Sequence, residues 1–269
     1  MPASRSRSRG VELEPPAHRR WPLLVVLGLF ALLAGVVVAL PASVIQYFLP
    51  TSVHVEDLSG SAMHGAAGRL SVNARDAGAI EWRLHPLSLL RALLVLDIHW
   101  VKVGFVIDGS AEIDRRGFTV RDVRGGGPIE SLTDLGVAAG WRGTATLKFE
   151  ELKSDFHKPL SMVGRIEAAN ISSAGIAAGA DLGSYVLELP AGAVAEGGSI
   201  SAKLNDAGGP IEVQAQIQFS PTARTGLFSG TFKERPEASP ALRAELQNLA
   251  QLRPKDPQGR FPVELEFTF

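Results

Sequence analysis

The chain has 269 residues, 45% hydrophobic and 20% charged, with a formal net charge of -1 and no cysteine. That balance is not one of a nucleic-acid-binding protein, and the lack of cysteine excludes thiol catalysis, thiolate metal sites and a disulfide framework. About 230 residues beyond the first forty suffice for one sizeable core held by packing and backbone pairing.

Residues 1–20 are rich in Ser, Arg and Pro and carry no apolar periodicity, so they read as a disordered cytoplasmic tail. From Trp21 to Leu40 no residue is charged. About twenty apolar residues rising ~1.5 Å each cover the ~30 Å hydrocarbon core of a bilayer, so residues 21–43 are expected to form a single transmembrane helix. Ala39 and Ala42 are small residues at which a signal peptidase could cut, which keeps a cleaved leader as the rival reading. Arg5, Arg7, Arg9, Arg19 and Arg20 precede the span and hold that flank in the cytoplasm, so residues 44–269 are expected in the periplasm. With Glu12 and Glu14 the tail carries +3, which leaves -4 on the rest of a chain whose net charge is -1. Gly28, Ala31 and Gly35 are candidate helix-packing positions, the last two at the four-residue spacing that lets helices approach closely.

Beyond Pro50 the period changes to two. Leu94, Leu96, Ile98 and Trp100 alternate with a set containing Asp97 and His99, as on a strand with one buried face. Further strands are expected at Val53–Leu58, Ala79–Leu84, Val101–Ile107, Phe118–Val123, Gly143–Phe149, Met162–Ala168, Tyr185–Leu189, Ile200–Leu204, Ile211–Phe219, Leu227–Phe232 and Val263–Phe269. Turns are expected at Asp114–Gly117, Arg124–Pro128, Asn170–Gly175, Ala195–Gly198, Asn205–Pro210 and Lys255–Gly259. His85, Pro86 and Leu87 open a short turn or helix. Pro240–Leu252 reads as an amphipathic helix, with Ser239 as N-cap, Leu242, Leu246, Leu249 and Ala250 on one face, and a place across one end of the sheet. The expected fold is therefore mainly β: a transmembrane helix, then a curved antiparallel β-meander with one short amphipathic helix near the C-terminus.

Residues capable of chemistry do not converge on a motif. His18, His54, His64, His85, His99 and His157 show no metal-ligand spacing, and His54 with Glu56 on one strand face is too few ligands. The chain has no Gly-x-Ser-x-Gly elbow, and Gly125–Gly127 and Gly208–Gly209 open no helix that could hold phosphate, so they read as turns. No catalytic residue, cofactor or metal is expected.

The strings SGSAMHG (59–65), EWRLHPLSLL (81–90), LGSYVLEL (182–189), NDAGGPIEVQAQIQFSP (205–221) and SPALRAEL (239–246), following one span, resemble protein N of the type II secretion system. Gly60, Gly65, Trp82, Pro86, Gly183, Tyr185, Gly209 and Pro210 fall on the family's recurrent positions, and core and turn roles are expected for them. Met63 stands where the family pattern has tryptophan. The resemblance implies a non-enzymatic accessory component of the inner membrane, whose partners are other secretion components and the membrane lipid. Two rival readings stay open. One is an AsmA-like periplasmic carrier of lipid or another apolar ligand. The other is an outer-membrane barrel, prompted by Val263, Leu265, Phe267 and Phe269 sharing a face of the terminal strand.

Overall fold

Alternating apolar and polar residues form thirteen strands: β1 (Val53–Gly60), β2 (His64–Val72), β3 (Arg75–Leu84), β4 (Leu94–Lys102), β5 (Phe105–Ile113), β6 (Phe118–Pro128), β7 (Trp141–Ser154), β8 (Pro159–Ser173), β9 (Asp181–Leu189), β10 (Ile200–Gly208), β11 (Ile211–Ser220), β12 (Thr225–Glu234) and β13 (Phe261–Thr268). The computed structural model describes residues 40–135, 137–195, 197–252 and 255–268, together with Gly35. Each strand pairs antiparallel with the next, in the order β1 to β13.

The register aligns a continuous rung across all thirteen strands. It runs Leu58, Ala67, Ile80, Trp100, Ile107, Gly125, Leu147, Ile166, Leu187, Leu204, Ala215, Gly230 and Val263. None of these residues is polar, and apart from buried Ala67 all are half-buried. One residue further along lies the opposite face: Ser59, Ala66, Glu81, His99, Asp108, Arg124, Lys148, Arg165, Glu188, Lys203, Gln216, Ser229 and Glu264. A one-residue slip anywhere would exchange these two sets, so burial of one face specifies the register.

The apolar face is covered at both strand ends. At one end α1 (Pro240–Leu252) seats Leu242 and Leu246 against Ile171 and Leu182, with Trp141, Tyr185, Ile211 and Phe232 packed around them. The Leu242 amide donates to Ser239 Oγ at 3.2 Å, the N-cap expected from sequence. At the other end the β9–β10 connection folds Ala193 onto Leu189, Ile200 and Ala202. A third tie is Lys102, only 3% exposed, whose ammonium donates to the Asp76 carbonyl and lies 3.1 Å from Asp134 Oδ2 in the β6–β7 connection.

Several expectations are corrected. Val101–Ile107 is not one strand: β4 and β5 meet there in a turn at Val103 and Gly104, both with positive φ. Arg124–Pro128, with Gly125–Gly127, is not a turn but the second half of β6. Its glycines lie so close to neighbouring backbone that a Cβ at Gly125 would stand 2.3 Å from the Val106 carbonyl oxygen. The turn expected at Asn170–Gly175 begins later, since β8 runs to Ser173, and Asn170 takes φ +53 at a break in register. Asn205–Ala207 belongs to β10, which shortens that turn to Gly209 and Pro210. β2 had no counterpart, because its HGAAGRLSV sequence contains two glycines and little alternation.

The expected transmembrane segment, with Gly28 and Ala31, lies outside the described residues; Gly35 is helical and exposed. Among the described residues no helix is long and apolar enough to cross a membrane. Among the described residues the sheet does not close into the barrel considered above, since its pairing runs from β1 to β13 without joining those two strands.

Truncating Leu242, which is 1% exposed, to alanine is expected to destabilise the domain by about 2–5 kcal/mol. Ser239→Ala should cost about 1 kcal/mol through the lost cap. Urea unfolding followed by circular dichroism checks both; a Leu242→Ala loss no larger than that of Ser239→Ala would refute the assigned packing.

Candidate functional site

The eight positions singled out in the sequence fall in two groups. The first surrounds the β1–β2 turn. Gly60 has φ +82, and a Cβ there would stand 2.4 Å from the His64 carbonyl oxygen. The Ser61 amide donates to that oxygen at 2.7 Å, and the His64 amide donates to Ser61 Oγ at 3.1 Å. Trp82 on β3 lies across Gly65, where a Cβ would come within 2.4 Å of the ring, and its indole N–H donates to the Ala62 carbonyl at 3.1 Å. Met63 is buried beneath the same turn, its carbonyl accepting from the Leu84 amide at 2.7 Å. Pro86 opens the 3-10 turn Pro86–Arg91 after β3.

The second group lies at the end of β9–β11, beside α1. Gly183 and Gly209, at φ +106 and +121, approach so closely that a Cβ on Gly209 would stand 2.4 Å from Gly183 Cα. The Tyr185 hydroxyl donates to the Leu182 carbonyl at 2.5 Å. Burial, reinforced by the Asp206 and Asp181 carboxylates, pushes its pKa up to about 12. The Pro210 carbonyl accepts from the Arg235 amide at 2.9 Å. Arg235 also reaches the Gly209 carbonyl at 3.0 Å and Asp206 Oδ2 at 2.6 Å, while Asp206 Oδ1 accepts from the Val213 amide at 3.2 Å. Sequence reasoning missed this pair: Asp206 sat in a stretch read as turn, and nothing marks Arg235 as its partner twenty-nine residues away.

Both groups satisfy their own polar atoms by holding turns. Neither aligns a nucleophile with a base. A concavity of about 800 Å³ on the polar face is bordered by His64, Glu81, Arg83, Asp97, His99 and Asp108. Within it His99 Nδ1 lies 2.6 Å from Asp108 Oδ1, and nearby His85 Nε2 lies 2.9 Å from Asp97 Oδ2. Among the described residues no group of three or more His, Asp or Glu side chains could hold a metal ion. The other notable space is apolar, about 450 Å³, and lies on the opposite face. Val213, Phe228, Phe232, Val263 and Leu265 form its floor and Leu246 of α1 its roof.

A profile described as type II secretion system (T2SS), protein N matches residues 51–264. The chain belongs to that family. The match spans β1 to β13 almost entirely, so the thirteen-strand sheet is the family's part of the chain. Membership ties the protein to type II secretion, through components that form no known enzyme family. No curated protein and no solved structure matches the chain. Met63 is buried at this turn, and Gly60, Gly65 and Trp82 pack closely around it.

Because Tyr185 ionises less readily when folded than its ordinary value of 10, folding is favoured below pH 10 and that contribution is lost as pH rises toward about 12. Melting curves across this range should fall more steeply for the parent than for Tyr185→Phe; parallel pH profiles would refute the burial of this hydroxyl.

Proposed function

We propose that the protein is an accessory component of the secretion machine, tethered to the inner membrane by residues 21–43. Its curved periplasmic sheet then acts as a scaffold for other components of that machine. The observation that carries this reading is the difference between the two sheet edges. β1 is blunted: Asp57 breaks its regularity at φ +54, the 3-10 turn Ala42–Phe48 packs against it, and Pro41 bridges to Ser61 beside it. β13 pairs with β12 through eight residues without a register shift and has no strand on its outer side among the described residues. Such an edge offers main-chain groups to an added strand.

The orientation of these groups follows from the ladder. The Arg235 amide donates to the Pro210 carbonyl, and strict alternation from that pair through β12 turns the backbone of Pro262 and Glu266 outward. Pro262 offers no N–H, a usual way of tempering an exposed edge. Glu266 keeps one.

A second reading, a carrier of an apolar ligand, is favoured by the rung from Leu58 to Val263. Apart from buried Ala67, its residues stay half-buried instead of closing into a core. At ~4.8 Å between strands this face extends roughly 55–60 Å, far enough to guide an apolar molecule away from a bilayer.

Deleting the gene in its host should reduce release of the machine's substrates, and the parent chain should restore it. Glu266→Pro is expected to leave the melting temperature within a few degrees while lowering restored secretion about tenfold, as a strand-addition contact worth ~1.4 kcal/mol would require. Full secretion by the proline variant would reject the β13 edge as the contact.

A further inference from the structure

The apolar space beneath α1 has features that the rest of the face lacks. It is about 450 Å³, inside the ~300–1,000 Å³ range of small-ligand sites, and it is roofed by Leu246. Among the described residues no charged side chain lines it. One wall lies along β13, where Leu265 and Phe267 are 57% and 38% exposed, so the space opens past the sheet edge. Beside Val263 the rung continues through Ala215 and Gly230, a small facing pair.

A positive charge stands at its border. Phe261, another wall residue, stacks on Phe232 with ring centroids 5.0 Å apart, and the exposed Lys255 holds its ammonium 4.6 Å from the Phe261 ring centre. The neighbouring carboxylate is otherwise engaged: Asp256 accepts from the Gln258 and Arg260 amides at 2.9 and 2.7 Å and lies 3.6 Å from the Arg260 guanidinium. An apolar slot ending at a lysine suits a molecule with a hydrocarbon body and an anionic head.

We infer that this space is a binding site for one acyl chain of an anionic phospholipid, the chain lying between Leu246 and the β11–β13 face and the phosphate meeting Lys255. The inference rests on the apolar-ligand reading above and narrows it to one location and one head-group charge. A peptide occupant fits less well, because among the described residues Thr231 is the one polar side chain of the lining, too little to partner a peptide backbone.

The test uses the full chain reconstituted in phosphatidylethanolamine vesicles containing phosphatidylglycerol with a diazirine on its acyl chain. Irradiation, proteolysis and mass spectrometry then locate the adducts. Adducts are expected on Leu246, Phe228, Val263 or Leu265. Val263→Trp, which fills the space, should lower them about tenfold, the scale of a 1.4 kcal/mol loss. Leu265→Trp, at a position too exposed to disturb the core, should do the same, and it serves should Val263→Trp unfold. Lys255→Glu should lower them about fivefold, in line with the ~1 kcal/mol of a lysine near an anionic surface. Equal labelling by a diazirine phosphatidylcholine would overturn the head-group assignment. Adducts on Leu147, Ile166 or Leu204 but none at the slot would overturn this site and leave the carrier reading standing. Absence of adducts from the whole sheet would overturn both.

Discussion

The structure depends on one constraint: a single register carried without a slip of face through thirteen consecutive strands. Every strand contributes an apolar residue to the rung from Leu58 to Val263, and its neighbour in sequence goes to the polar face. Three breaks in pairing, at Asp57, Asp122 and Asn170, coincide with residues in left-handed backbone, and others, as between Phe149 and Glu151, are bulges without it. Each absorbs an irregularity locally, so the alternation resumes with the same side inward.

Glycine and aromatic side chains keep this sheet packed where no second layer covers it. Trp82 lies over Gly65, Phe149 over Gly164 and Phe267 over Gly226, with hypothetical Cβ positions 2.2–2.4 Å from each ring. The ring covers the bare backbone of the next strand, which shields its hydrogen bonds and buries part of the ring. Among the described residues, fully buried large side chains are correspondingly few and lie where connections fold over: Leu242 on α1 and Phe105 beside the Lys102 tie. An open, half-covered face is the common physical basis for both a scaffold and an apolar carrier.

Much of this was legible in the residues. Pro240–Leu252 emerges with its expected limits because three independent signals agree there: a capping serine, a proline in the first turn and a 3.6-residue apolar period. The strongly alternating strands, such as β7 and β11, were equally clear. Failures cluster at glycine. Gly125–Gly127 looked like a turn because glycine permits one, yet here close approach of Val106, Ala145 and Gly104 backbone requires its missing side chain inside a strand. For the same reason β2 was invisible, and the two-residue turn at Val103 and Gly104 hid inside an apolar run.

By itself the amino-acid sequence determined the class of the molecule: mainly antiparallel β, one capped helix, no thiol chemistry, and the resemblance to secretion protein N that the family match bears out. These properties are local, set by period, caps and turn residues within a few positions of each other. Tertiary structure alone decided which residues meet. Arg235 finding Asp206, Lys102 reaching the β6–β7 connection, and Leu246 roofing a slot beside β13 all join residues far apart in the chain. No local pattern encodes such meetings, because they follow from the summed register of the strands between them.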